Sequence, residues 1–211
     1  MGKSQAVNSP IYRGDEEKKD VSLMFNVYWG TEYIEKILDI LDEYNVKSTF
    51  FIGGVWAVKE ENTLNEIVKR GHELGNHGYY HKDMAKMSYD DCCKEIANTN
   101  KLIEKLSTVK TTLFAPPSGS YSKITLQACE DVEMDVIMWS KDTIDWRDKD
   151  SNLIYKRATT NIANGDLILM HPTEMTVKAL PKILQFYKEN GYNATTVTKT
   201  IGDDLKYGKN N

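Results

Sequence analysis

Seven short, continuous apolar runs separated by segments with helical periodicity are the feature of this 211-residue sequence that most constrains its fold. Continuous apolar runs are typical of parallel strands, because helices cover both faces of a parallel sheet. Strands that alternate with helices in one domain predict parallel pairing through helical crossovers. No glycine-rich phosphate-binding loop follows the first run, which favours a barrel over an open doubly wound sheet. The predicted strands cover residues 21–27, 48–52, 72–75, 112–114, 135–139, 166–170 and 194–197.

The segments between the strands carry apolar residues at helical spacing and begin with recognisable start signals. Thr31 is predicted to be the N-cap of the first helix. Residues 63–66, with the sequence Thr-Leu-Asn-Glu, are predicted to form a capping box at the start of another helix. The remaining predicted helices start at Ser88 and Ser122 and cover residues 151–162 and 176–189.

The beginning of the chain differs in composition from the rest. It is polar and rich in charge, so we predict an N-terminal arm over residues 1–19 and a single domain over residues 20–211. The formal net charge of −4 argues against nucleic acid as a partner, since phosphate binding requires a basic face. No apolar run is long enough to span a membrane, and no signal peptide is visible. Composition leaves the compartment and the oligomeric state open.

His77 and His81 stand four residues apart and are two of only four histidines in the chain. Imidazole is the side chain best suited to borderline divalent metals. Two histidines one helical turn apart can point at the same spot. The pair therefore indicates a metal site and hydrolytic chemistry. The alternative is a polar turn that carries two histidines without a metal.

Unusual polar and aromatic residues follow five of the predicted strands. In a parallel barrel, functional residues lie at the C-terminal ends of the strands. Each segment has an ordinary structural explanation by itself, such as a turn with the sequence Pro-Pro-Ser-Gly. Their coincidence on one rim favours a functional site there. The segments are residues 26–30, 76–81, 115–119, 142–146 and 171–172.

The order and spacing of these segments resemble the motifs of the polysaccharide deacetylases of carbohydrate esterase family four. The resemblance covers about residues 21–197 and is greatest to the sporulation and cell-wall branch, where Trp-Gly follows the first motif as Trp29-Gly30 does here. It implies a distorted (β/α)7 barrel with parallel strands and outer helices. It also implies metal-dependent removal of N-acetyl groups from chitin-like polymers or peptidoglycan. An extracellular or cell-envelope location follows from the resemblance, with a cytoplasmic one left open.

The resemblance further implies roles for individual side chains. Two imidazoles bind a divalent metal, with zinc as the first candidate. An acid protonates the leaving amine, and a carboxylate tunes that acid. Matched by motif, the metal ligands are His77 and His81, the acid is His171, its partner is Asp145, and the substrate-binding residues are Trp146, Leu169 and Ser118, the last through its backbone N–H.

The sequence departs from the family pattern at three positions. The first motif has Asn26 and Val27 in place of two aspartates, which serve the family as general base and third metal ligand. Asparagine cannot take up a proton near neutral pH, and valine offers no ligand atom. The third motif begins with Ala115 in place of an arginine that holds the base aspartate. The loss of the arginine is consistent with the loss of the aspartate, because a buried arginine without its aspartate would be an unpaired charge.

Four accounts of function follow from these departures. The first two are hydrolases of an N-acetylated amino-sugar polymer. In one, His171 serves as both base and acid, and in the other a relocated base is supplied by Asp142 or Glu174. The third is a catalytically impaired barrel that binds glycans or acts as a scaffold. The fourth is an amide hydrolase acting on a small molecule. The polymer hydrolase is the leading interpretation, with the impaired barrel as the alternative.

Aromatic residues near the predicted rim have two interpretations. They stack on sugar rings, or they pack the mouth of the barrel, which is the commoner fate of a single aromatic residue. The stacking candidates are Trp29, Tyr79, Tyr80 and Tyr121, whereas Trp56 and Trp139 are assigned to packing and His72 to no functional role.

Overall fold

The computed structural model describes residues 9–208, and an eight-stranded sheet forms its centre. The strands are β1 (Asp20–Val27), β2 (Thr49–Ile52), β3 (Glu73–Asn76), β4 (Leu113–Phe114), β5 (Asp135–Val136), β6 (Lys141–Asp142), β7 (Leu167–Met170) and β8 (Asn193–Ala194). They follow the order β5-β4-β3-β2-β1-β7-β6, with β8 paired to β1, and every pairing between them is parallel. The curled parallel sheet with surrounding helices confirms the predicted α/β architecture of a distorted (β/α)7 barrel.

Helices connect the strands and cover the outside of the sheet. They are α1 (Thr31–Glu43), α2 (Gly54–Lys59), α3 (Glu61–Lys69), α4 (Tyr89–Ser107), α5 (Lys123–Asp131), α6 (Ser151–Thr159), α7 (Glu174–Glu189) and α8 (Val197–Ile201). The predicted starts of α4 and α5 are confirmed, since the hydroxyls of Ser88 and Ser122 accept hydrogen bonds from backbone N–H groups of the first turns. Within residues 9–208, no helix is both long enough and apolar enough to cross a membrane.

Successive residues of the central strands face two separate hydrophobic cores. Met24 of β1 and Phe51 of β2 lie inside the barrel, in what we call the inner core. Their neighbours Phe25 and Phe50 face the helices, in the outer core, and stack on each other with ring centroids 4.9 Å apart. All four side chains are fully buried, which stabilises the fold by roughly 1.5–3 kcal/mol for each. Burial on both faces explains why the strands read as continuous apolar runs.

The N-terminal segment is docked on the barrel where the structure describes it. The backbone N–H of Ile11 donates to the carbonyl of Val136 at 2.8 Å. The guanidinium of Arg13 lies 2.9 Å from the carboxylate of Asp166, whose side chain is fully buried. These contacts join the segment to β5 and to the residue that precedes β7. Residues 1–8 of the predicted arm lie outside the described residues, and the division into arm and domain stays a prediction.

The predicted N-cap of α1 is wrong by one residue. Gly30 is the N-cap, with a left-handed φ of 80°, and it makes no side-chain cap. Only glycine fits there, because a Cβ would lie 2.1 Å from the carbonyl oxygen of Pro172. The hydroxyl of Thr31 instead accepts a hydrogen bond from the indole N–H of Trp56 at 2.8 Å. This hydrogen bond joins α2 to the first turn of α1.

The predicted capping box over residues 63–66 is also wrong. Helix α3 begins at Glu61, directly after α2, and its N-cap is Glu60. The N–H of Leu64 already donates to the carbonyl of Glu60 at 2.9 Å, so Thr63 lies inside the first turn. Helix α2 was not predicted, and its presence moves the start of α3 forward.

Two predicted strands end earlier than expected. Of the predicted strand over residues 135–139 only β5, Asp135–Val136, is a strand, and β6, Lys141–Asp142, follows it at the opposite end of the sheet order. The chain crosses to its new neighbour near Ser140, whose N–H donates to the carbonyl of Leu167 in β7. The last predicted strand, residues 194–197, ends early, since Val197 starts α8 and packs into the inner core.

Candidate functional site

A cleft of about 490 Å³ opens at the C-terminal ends of the strands. This is the location that the barrel architecture predicts for functional residues. Its lining consists of Asn26, Tyr28, Trp29, His77, His81, Ser118, Trp139, Asp142, Trp146, Leu169 and His171. Three other predicted positions, Val27, Ala115 and Asp145, lie behind the lining and are buried.

His77 follows β3 directly and is held by two hydrogen bonds. Its backbone N–H donates to the carbonyl of Ile52 at 2.9 Å. Its Nδ1 atom lies 2.8 Å from the carbonyl oxygen of Ala115, and since a carbonyl only accepts, Nδ1 carries the proton. Burial, and to a lesser extent the neighbouring His81, lowers the pKa of His77 to about 3. The imidazole is therefore neutral at neutral pH, with the Nε2 lone pair free of this hydrogen bond.

His81 meets His77 through an irregular turn and not through a helix. The two rings lie 5.1 Å apart with an interplanar angle of 72°. Gly78 and His81 both have left-handed backbones, with φ of 75° and 54°. The N–H of Gly54 at the start of α2 donates to the carbonyl of Gly78 at 2.9 Å, which ties the turn to the barrel. The predicted convergence of the two histidines is thus achieved by a strained loop, and burial lowers the pKa of His81 as well.

The donor atoms of this site match a divalent metal only in part. His77 and His81 supply two imidazoles, whereas catalytic zinc sites use three protein ligands. Val27 is fully buried in the outer core and offers no ligand. Across residues 9–208, no three side chains from histidine, cysteine, aspartate and glutamate are grouped as a metal site requires. A buried polar atom remains beside the cleft, since Oδ1 of Asn26 has no hydrogen-bond partner in the described structure.

The second half of the site is a histidine–carboxylate pair at the end of β7, in which His171 lines the cleft and Asp145 lies behind it. Nδ1 of His171 donates to Oδ1 of Asp145 at 2.8 Å, and the backbone N–H of His171 donates to Oδ2 at 2.6 Å. The hydroxyl of Thr176 also donates to Oδ2, at 2.6 Å. The Asp145 side chain is fully buried, whereas 15% of the His171 side chain is exposed in the cleft. This arrangement fixes the tautomer and leaves Nε2 of His171 available to a ligand.

A residue of α6, Arg157, holds the loop that carries Asp145. Arg157 donates to the carbonyl of Thr143 at 2.8 Å and pairs with Asp148 at 2.6 Å. These contacts anchor the chain on both sides of Asp145. Ile144 between them has a left-handed φ of 53°, which turns the loop so that Asp145 points inward.

Aromatic rings form much of the remaining lining. Trp29 lies parallel to the imidazole of His171, with ring centroids 6.0 Å apart and an interplanar angle of 4°. Trp146 is 56% exposed, and Leu169 at the end of β7 is almost fully buried. Ser118, in a 3-10 turn over residues 117–119, has a left-handed φ of 55°. The cleft therefore combines flat apolar faces with a few polar groups, as small-molecule binding sites do.

Sequence reasoning missed two residues of the cleft. Trp139 packs on the inner core as predicted, but it also lines the cleft. Tyr28 lies with its ring 5.0 Å from that of His81. Tyr28 follows a predicted strand and Trp139 ends one, and that position could have predicted them as cleft residues. Glu174, one candidate for a relocated base, is absent from the lining and pairs with Lys178 at 2.6 Å instead.

The other aromatic predictions divide between the cleft and the fold. Trp56 is buried, as predicted. Tyr79 packs against the position of Gly54, and the hydroxyl of Tyr121 bonds to that of Tyr12 at 2.8 Å. Among the stacking candidates only Trp29 lines the cleft, and the tyrosines lie outside its lining.

Comparison with known proteins gives consistent results. A sequence profile of the polysaccharide deacetylase family matches residues 13–137. YlxY, an uncharacterized protein of Bacillus subtilis, is 40% identical over 92% of this chain and 61% of its own length. A peptidoglycan-N-acetylglucosamine deacetylase of Bacillus cereus is 31% identical over 88% of this chain and 70% of its own length. The crystal structure of BA3943, a family-four (CE4) pseudoenzyme from Bacillus anthracis, has a TM-score of 0.90 at 38% identity and covers 93% of this chain and 70% of that chain.

These similarities extend over nearly the whole barrel. The chain spans 61% of the length of YlxY, so the activity of such a longer protein does not transfer directly. The profile match and the B. cereus relative together establish the family, and BA3943 shows that the fold persists in a pseudoenzyme. The chain therefore belongs to the polysaccharide deacetylase family, carbohydrate esterase family four, with a degenerate first motif.

Proposed function

We propose that this chain binds an N-acetylated amino-sugar polymer of the peptidoglycan type in the cleft, and that its hydrolytic activity is strongly impaired. One observation supports the impairment above all. Asn26 occupies the lining where a base is needed, and Val27 is buried in the outer core. General-base assistance is worth roughly a hundred- to ten-thousand-fold in rate, and the chain lacks it at this position.

The lining of the cleft supports glycan binding. Trp29, Trp139 and Trp146 line the cleft together with His171. Flat aromatic rings of this kind are suited to packing against the apolar faces of sugar rings. Leu169 would contact the methyl group of an acetyl substituent, and the N–H of Ser118 would donate to its carbonyl oxygen. The family relatives that act on peptidoglycan support this choice of polymer and a location in the cell envelope.

The retained acid half determines what chemistry remains. His171, held by Asp145, can donate a proton from Nε2 to a leaving nitrogen once it is protonated. His77 and His81 would hold a divalent ion with two protein ligands, one fewer than a catalytic zinc site has. The donor set is therefore incomplete for a catalytic zinc ion.

A second candidate function is active hydrolysis of the N-acetyl group. The intact pair of His171 and Asp145 favours it. In this case His171 takes the proton of the attacking water and returns it to the leaving nitrogen. Such a histidine serves both transfers only if water and nitrogen lie on the same side of its ring.

Two measurements on the same protein separate these candidates. Acetate release from N-acetylglucosamine oligomers and from peptidoglycan measures turnover, with and without added zinc. Tryptophan fluorescence titration with the same glycans measures binding, since three tryptophans line the cleft. We expect binding with little acetate release, and a His171→Ala control that removes whatever turnover is present. Turnover comparable to a known deacetylase would overturn the impairment, and absence of binding would overturn the glycan assignment.

A further inference from the structure

A second groove adjoins the cleft beside β6. Its volume is about 400 Å³. Asp142 lines both the groove and the cleft, so the two spaces are neighbours across this residue. The groove is lined by Lys141, Asp142, Leu153, Lys156, Arg157 and Thr160. A polymer that fills the cleft and continues past Asp142 would enter it.

The lining of this groove carries three cations and one carboxylate, although the chain as a whole has a net charge of −4. The ammonium of Lys141 donates to the carbonyl of Thr160 at 2.8 Å, and this lysine makes no ion pair within the described range 9–208. Lys156 is exposed near the end of α6 and has no ion pair among residues 9–208. Arg157 shares its charge with Asp148 outside the groove. Two uncompensated ammonium groups therefore face one carboxylate, that of Asp142.

Several of these groups are held in place before any ligand arrives. Lys141 is fixed by the Thr160 carbonyl and by pairing of β6 with β7. Arg157 is fixed by Thr143 and Asp148. Oδ1 of Asp142 accepts a hydrogen bond from the N–H of Ile144 at 2.8 Å, which fixes the orientation of this carboxylate. Fixed side chains lose little entropy on binding, which favours recognition of a charged group.

We propose that this groove binds a carboxylate carried by the glycan chain in the cleft, and so selects acidic over neutral amino-sugar polymers. The inference rests on the proposed function. A peptidoglycan-type polymer offers carboxylates of two kinds, on a sugar through an ether-linked acid and on an attached peptide. Lys141 and Lys156 attract either kind, because an ammonium acts as a point charge without a fixed fork geometry.

Binding measured with three glycans tests the inference. The probes are a neutral N-acetylglucosamine oligomer, peptidoglycan strands freed of peptide, and strands that keep their peptides. At 50 mM NaCl the natural chain should bind one acidic probe at least about fivefold tighter than the neutral one, the sum expected for two solvent-exposed ion pairs. This preference should shrink at 300 mM NaCl through screening.

Variants connect the preference to the groove. Lys156→Gln and Lys141→Gln each remove one charge, and glutamine at 141 can still donate to the Thr160 carbonyl. The ratio of acidic to neutral affinity should fall about twofold in each and disappear in the double variant. Lys101→Gln is the matched control, because this exposed lysine on α4 lines neither the cleft nor the groove.

The outcomes are distinct. A preference for strands without peptide assigns the carboxylate to the sugar, and a preference only for strands with peptide assigns it to the peptide. Equal affinity for all three probes overturns the inference, as does a preference that the double variant retains. Those results leave the proposed function intact, because the neutral glycan still binds. Failure to bind any of the probes overturns the proposed function itself.

Discussion

Asp145 accepts two hydrogen bonds from His171, one from the backbone N–H and one from the imidazole Nδ1. The hydroxyl of Thr176 adds a third, so a carboxylate with a fully buried side chain is satisfied by three donors. This pair is complete, whereas the neighbouring strand β1 has Asn26 where the family has a base. The site is therefore asymmetric, with an intact acid half and a degenerate base half.

Removal of the Asp145 charge should affect both stability and chemistry. In Asp145→Asn one acceptor oxygen becomes a donor that faces existing donors, which should lower the free energy of unfolding by about 1–3 kcal/mol. Any acetate release should fall strongly, because the imidazole loses the partner that orients it. Urea denaturation and an acetate assay measure the two effects. Asp142→Asn is the matched control, and a larger loss of activity in that control would show that the base has moved to position 142.

Repair of the degenerate motif should require two changes. Asn26→Asp alone should raise acetate release little, and Asn26→Asp with Ala115→Arg should raise it more, because the arginine holds the new carboxylate. Ala115→Arg alone should destabilise the chain by about 1–3 kcal/mol, since Ala115 is fully buried in the inner core. Unfolding free energies of all four proteins form a double-mutant cycle. Purely additive values would show that residues 26 and 115 do not interact.

Zinc binding should be weak and should depend on both cleft histidines. Only two imidazoles converge there, and a carboxylate ligand would contribute charge as well as a bond. Calorimetry on metal-stripped protein should show one weak site that His77→Ala abolishes. His72→Asn is the control, because His72 lies at the opposite end of β3 and lines a different cavity. Zinc affinity that survives in His77→Ala would place the metal elsewhere.

Stability should fall with acidity because of His72. Burial, followed by the nearby charge of Lys47, lowers the pKa of His72 from 6.5 to about 4 in the folded chain. Its Nδ1 also accepts a hydrogen bond from the N–H of Ser48 at 3.2 Å, which a proton at Nδ1 would break. Between pH 6.5 and pH 4 the unfolded chain therefore binds more protons than the folded chain, so the stability present above pH 6.5 is lost as the pH falls.

The expected loss from His72 between pH 7.5 and pH 5 is about 2 kcal/mol. Urea midpoints measured at the two pH values give the difference. In His72→Asn the side-chain oxygen can replace Nδ1 as the acceptor for Ser48 but does not titrate. The loss on acidification should therefore be smaller in this variant by that amount. An unchanged pH dependence would mean that His72 does not contribute to the loss of stability.

Local patterns in the sequence were sufficient for much of the fold. Continuous apolar runs identified β1, β2 and β7, because burial on both faces leaves no alternation. The start signals at Ser88 and Ser122 were correct, because a capping hydroxyl acts only on its own first turn. Helix α2 and strand β6 were missed, because both depend on which neighbour the chain meets in space.

The candidate site shows the same division. The resemblance to the family motifs predicted His77, His81 and His171 as site residues and pointed to the changes at positions 26, 27 and 115, and position at strand ends placed these residues on the rim. The tertiary structure decided that Val27 is buried in the outer core, that Trp139 and Tyr28 line the cleft, and that Lys141 and Lys156 share a groove beside it. Sequence determines chemistry and local conformation, because both depend on near neighbours along the chain. Packing decides which distant side chains share a space, because that depends on how strands and helices are arranged around one core.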